Sequence, residues 1–199
     1  MNIYKLAYDA DLFDQAEIEG REIADAYESN IKELSEKEGR DLAHLDLTPG
    51  VETLPFEVVF RYSSKDPDID VDFLHNVHAW PIVHARVKDL LEKEGFKGVF
   101  FFPLTLVHNE SGSVNNNYYM MYTSNFIEAY DMEKTKNTYL EKYNAYMFFP
   151  MKTVFDVNEC SKYDIFRCVK DSPALYVSQR FCDVVNDARF GGFSFLRVQ

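Results

Sequence analysis

The sequence predicts an α+β fold: a mixed β-sheet with two related strand-helix-strand modules and an N-terminal acidic helix. Three observations carry this reading. Short apolar runs with period-two alternation recur along the chain, residues 14–38 follow a helical period, and the pattern of residues 70–104 returns at 164–198.

Taken in order, residues 3–8 read as a strand. Residues 14–38 place Ile23, Tyr27, Ile31 and Leu34 on one helical face, with Gly39 as the stop. Residues 54–62 alternate, so that Phe56, Val58, Phe60 and Tyr62 share one face of a half-buried strand. Residues 99–107 and 117–123 form an antiparallel hairpin across the turn chemistry of HNESGSVN. Further strands are expected at 145–149, 153–157 and 165–169. No stretch resembles a linker, so residues 1–199 read as a single domain.

A shift of 94 positions lays residues 70–104 over 164–198 without a gap. Asp70/Asp164, Val83/Val177, Arg86/Arg180, Asp89/Asp183, Phe96/Phe190, Gly98/Gly192 and Phe101/Phe195 are identical pairs. Val87, Leu90 and Leu91 correspond to Phe181, Val184 and Val185, so the apolar helical stripe recurs with different residues. Each helix carries an arginine in its first turn, Arg86 or Arg180, where the helix dipole disfavours a cation unless an acid holds it. Asp70, Asp89, Asp164 and Asp183 are the candidate acids of a structural clamp, favoured over a grip on a ligand phosphate or carboxylate because the unit occurs twice.

With 46% hydrophobic and 16% aromatic residues in 199, the chain can bury about 70% of its surface in a packed core, which excludes intrinsic disorder. Its 33 acidic and 21 basic residues give a formal charge of -12, which repels phosphate backbones and argues against direct nucleic-acid binding. The longest apolar run, residues 99–107, is broken by Pro103 and Thr105 and is too short to span a bilayer. The start of the chain lacks a basic segment followed by an apolar one. Cys160, Cys168 and Cys182 are odd in number and lack C-x-x-C spacing, as suits buried thiols in a reducing compartment. A cytoplasmic protein without a membrane partner is expected.

Chemistry-bearing motifs are sparse. Asp66, Asp68, Asp70, Asp72, His75, His78 and His84 crowd residues 66–84, but an EF-hand loop starting at Asp66 needs Gly and Glu where Val71 and Val77 stand. His75 and His78 lack the H-E-x-x-H pattern, so no metal or cofactor is expected. Nucleophile elbows, Gly-rich phosphate loops and Cys-His pairs are missing too, and no catalytic residue is assigned. Between Asp9 and Glu38, by contrast, eleven acids face three bases. Glu17, Glu22, Asp25 and Glu28 represent this acidic arm, which either steers a basic partner or is a solvated helix face.

The run YDIFRCVKDSPALYVSQRFCDVVNDARFGGFSFLRV resembles the ending of bacterial immunity proteins from polymorphic-toxin systems, in the family numbered eleven. Asp164-Ile165-Phe166-Arg167, Val177-Ser178-x-Arg180 and Gly192-Phe193-x-Phe195 carry the likeness. Upstream, Trp80-Pro81-Ile82-Val83-x-x-Arg86, Phe101-Phe102-Pro103-Leu104-Thr105-Leu106, Tyr118-Tyr119 and Asp131-Met132-Glu133-Lys134-Thr135 are similar in order and rough spacing, from about residue 56 onward. His84 departs from the capping serine of the pattern, and the acidic arm has no counterpart. The resemblance implies a non-catalytic protein, with no cofactor and no agreed active-site residues, that neutralises a cognate protein toxin. Such a protein needs only a complementary surface of about 800 Å². A basic, nucleic-acid-attacking toxin would find in the acids a mimic of its phosphates. The alternatives are a small cytoplasmic enzyme or metal- or ligand-binding protein using residues 66–84, and a structural protein that assembles with itself.

Overall fold

The computed structural model describes residues 2–11, 25–54, 56–64, 69–143, 145–149 and 153–199. Strand β1 (Ile3–Tyr8) comes first, yet its partners lie near the other end of the chain. The next six strands are β2 (Asp25–Ser29), β3 (Val59–Ser63), β4 (Phe73–Asn76), β5 (Ile82–His84), β6 (Val99–His108) and β7 (Val114–Thr123). They close into a barrel in the order β2-β3-β6-β7-β5-β4, with β2–β4 and β3–β6 parallel and the other pairs antiparallel.

Alternation fills this barrel. Phe60 and Tyr62 of β3, Phe102, Leu104 and Leu106 of β6, and Tyr118, Met120 and Tyr122 of β7 enter one buried cluster with Val58 and Trp80. Aromatic residues this deep need partners for their polar tips. Tyr118 donates to the Val71 carbonyl at 2.9 Å, Tyr122 to the Thr48 carbonyl at 2.9 Å, and Trp80 Nε1 to the Ala43 carbonyl at 2.8 Å. The last two bonds bind the loop after helix α1 (Ile31–Glu38) to the barrel core, where Leu42 and Leu45 join the same cluster.

The expected helix over residues 14–38 needs correction. Residues 12–24 lie outside the described residues, residues 25–29 are strand β2, and the helix begins at Ile31. Ser29 and Asn30 are the breakpoint. Ser29 Oγ accepts the Ile31 N–H at 3.3 Å, while Asn30 bonds the Glu57 carbonyl and the Val59 N–H, each at 3.0 Å. The chain therefore turns at Asn30 and is fastened to the start of β3. Helical spacing of four apolar residues could not reveal that β2 has a strand waiting on each side.

Beyond β7 come β8 (Phe126–Ile127) and a separate hairpin of β9 (Asn137–Leu140) and β10 (Ala145–Phe148). Then follow β11 (Ile165–Cys168), β12 (Asp171–Ser178) and β13 (Phe193–Arg197), which form a five-stranded sheet in the order β13-β1-β12-β11-β8. The strand expected at 153–157 is absent among the described residues. Phe155 makes one bridge with Tyr130, and Asp156 caps a short helix after it by accepting from Asn158 N at 2.9 Å and Glu159 N at 3.2 Å. The helices after β5 and β12, here α2 (Ala85–Lys93) and α4 (Gln179–Asp187) around α3 (Val157–Cys160), pack between the sheets. Val87, Leu91, Phe181 and Val185 share a core with Val83 and Met121 of the barrel and Leu6 and Val177 of the second sheet.

The bounds of α2 and α4 differ by the same 94 positions as the sequence pattern. Strand registers agree as well. Val83 faces Tyr119 and Phe101 faces Met121, while Val177 faces Tyr4 and Phe195 faces Leu6. Thus β1 stands to β12 and β13 as β7 stands to β5 and β6. The first strands are the exception: Phe73 faces Val83 whereas Ile165 faces Val177, so Asp72, rather than Asp70, holds the place of Asp164.

Candidate functional site

Both helix-start arginines are engaged by upstream acids. Arg86 pairs through Nη1 with the Asp70 carboxylate and through Nε with Asp72, and its Nη2 donates to the Asp70 carbonyl at 3.1 Å. These contacts raise its pKa further, the Asp72 hydrogen bond being the largest cause. Arg180 pairs with Asp164 at 2.7 Å, donates to the Glu94 carbonyl, and lies 4.2 Å from the Phe96 ring centroid. Asp89 and Asp183 do otherwise: Asp89 is 3.5 Å from Lys88 Nζ, and Asp183 accepts from Gln179 at 2.8 Å. The upstream acids stand just before strands β4 and β11.

The missed residue is Asp72. It is buried, and its second oxygen accepts the Gly191 N–H at 2.8 Å, so it links the barrel to the turn before β13. The sequence signals for it were its place in the acid-rich run of residues 66–84 and its position two residues after Asp70.

The remaining polar residues of segment 66–84 are dispersed. His75 bonds Asp25 at 3.0 Å, His78 bonds Ser29 Oγ at 2.7 Å, and His84 Nδ1 accepts the Arg86 N–H at 3.2 Å as the N-cap of α2. His84 thus does what Ser178 does for α4, where Oγ accepts the Phe181 N–H at 3.3 Å. Burial first, then the nearby Arg86 charge, holds His84 below the usual imidazole pKa. Asp66 and Asp68 lie outside the described residues, and among those described no three His, Cys, Asp or Glu side chains converge as metal ligands.

Of the acidic arm, Glu17 and Glu22 lie outside the described residues. Asp25 and Glu28 stand on β2 instead of a helix, Asp25 bonded to His75 and Glu28 exposed. A cavity of about 260 Å³ between β1 and β4 is lined by Tyr8, His75 and Arg167 among others. Its ionisable groups serve the framework: His75 holds Asp25, and Arg167 holds Asp46 at 2.8 Å. Burial pushes the Asp46 carboxyl up to about 6 against the pull of Arg167, and the same loss of water lowers the arginine. A larger groove, about 540 Å³, runs along β6 beside residues 52–57.

Fold and side chains together define an α+β protein, barrel against sheet, whose described ion pairs largely fasten its own elements. Its family is shown independently. The chain matches the Immunity protein family (Imm11) over residues 10–199 and belongs to that family. A search of curated proteins finds no match to it. No helix among the described residues is long and apolar enough to cross a membrane.

Proposed function

We propose that this chain is an immunity protein that binds and neutralises a cognate protein toxin in the cytoplasm, by occupying the toxin's surface and without catalysis. The observation that carries this is the family match over residues 10–199. The net charge of -12 supports a basic toxin as partner, drawn in by Glu17, Glu22, Asp25 and Glu28. Asp70, Asp72, Asp164, Arg86 and Arg180 act as structural clamps within two related modules of one domain, a reading supported by the shared strand registers. Nucleic acid and membrane have no part in it.

Co-expression tests the proposal. Cells producing the toxin encoded beside this protein should survive when the protein is supplied and die when it is withheld. Equal killing in both cases overturns it.

A further inference from the structure

Among the described residues, one stretch of barrel edge is open. β3 pairs with β6 only over residues 105–108, and the Thr105 N–H to the Val58 carbonyl, at 3.0 Å, continues that contact. Before Val58 the chain leaves β6, and no other described strand lies beside residues 99–104 on that side. Met121, opposite Phe101, donates its N–H to the Pro81 carbonyl on the β5 side at 2.8 Å. Antiparallel geometry then turns the Phe101 N–H and C=O away from β7, toward the opening.

The groove of about 540 Å³ lies along this edge. Phe102 and Leu104 are buried at its floor, Leu54 and Phe56 are half-buried along its wall, and Phe100 is 44% exposed. Glu52 and Glu57 are the charged residues that line it, both exposed, and Glu57 is fixed by the Thr105 hydroxyl at 2.8 Å. Open backbone groups, apolar pockets and a negative rim are the elements of strand addition, in which main-chain bonds supply affinity and alternate side chains supply selection.

We propose that this groove takes an extended segment of the toxin, alternating basic and apolar residues, as an added strand beside residues 99–104. The inference rests on the immunity reading and names its contact. A second copy of this chain is a poor occupant. It would set Glu52 and Glu57 against their own images.

The test uses the full chain and a fluorescent nine-residue peptide of alternating lysine and valine, compared with its glutamate-valine counterpart and with a lysine-valine peptide N-methylated at alternate amides. The first should bind at least about tenfold tighter than either other peptide, and should slow amide exchange within residues 99–104. Glu52→Lys with Glu57→Lys should weaken it about tenfold while leaving the circular dichroism spectrum unchanged. Absent binding, equal binding of the three peptides, protection elsewhere, or self-association through this edge overturns the proposal. Toxin co-expression separates the two levels. If the unaltered protein fails to rescue, the immunity reading fails; if it rescues and the double lysine variant rescues equally, only the groove assignment fails.

Discussion

Asp46 and Arg167 meet at 2.8 Å with 4% and 3% of their surfaces exposed, and their contact joins the loop beneath the barrel to strand β11 of the other sheet. Removing either partner takes the opposite charge away from the other in a dry site. Arg167→Met or Asp46→Leu alone should cost about 3–5 kcal/mol in urea denaturation at neutral pH. The double variant should regain most of that loss, because both charges resist burial in the native state. Additive losses would contradict this account.

His84 makes the cap of α2 sensitive to pH. Only neutral imidazole has an acceptor nitrogen for the Arg86 N–H. Because the folded pKa is lowered, the unfolded chain takes up the proton first as pH falls. The contribution of His84 is therefore complete above the ordinary imidazole pKa of 6.5 and is lost as pH falls through the lower folded value. His84→Ser should keep a cap worth about 1 kcal/mol and flatten the fall in stability below the ordinary imidazole pKa of 6.5. Parallel profiles for the two proteins would exclude this role.

Gly192 and Gly98 stand directly before β13 and β6 at φ 88° and 70°, each close to a neighbouring segment. A Cβ on Gly192 would lie 2.7 Å from the Phe73 carbonyl oxygen, whereas one on Gly98 would meet the Asn125 side chain at 2.4 Å. Backbone cannot step aside as a side chain can. Gly192→Ala should therefore lose more than the roughly 1–2 kcal/mol of left-handed strain alone, and more than Gly98→Ala. Thermal denaturation would rank them, at about 2–4 °C per kcal/mol for a chain of this size. Gly98→Ala still disturbs Asn125, which donates to the Ile165 carbonyl at 2.9 Å.

The acidic arm should act on encounter more than on the final complex. Changing Glu17, Glu22 and Glu28 to Gln should slow toxin association about tenfold at low salt, and the difference should fade near 0.5 M salt as screening shortens. Adding Asp25→Asn should also cost stability, since a neutral amide replaces the carboxylate bonded to His75. An unchanged association rate in stopped-flow mixing would remove these residues from the toxin's approach.

Local pattern made much of the architecture readable. The inward set Val58, Phe60 and Tyr62 follows from alternation, and the two arginine-bearing helices follow from their recurring apolar stripe. What stayed hidden depends on distant partners. β2 is a strand because β3 and β4 flank it, and Asp46 meets Arg167 across 121 positions of chain. A gap-free comparison also paired Asp70 with Asp164, because a two-residue slip between β4 and β11 leaves side chains on the same face and so leaves the pattern almost intact. The groove beside β6 had no signature beyond Pro103, since an open edge is defined by where another strand stops.

Strand β1 is inserted between β12 and β13, so the segment that builds the barrel is laced, in chain order, inside the sheet that follows it. A protease nick just after Thr123 would leave one fragment holding β1 and the other holding both of its neighbours. The severed pieces should travel together on a sizing column and come apart only in denaturant.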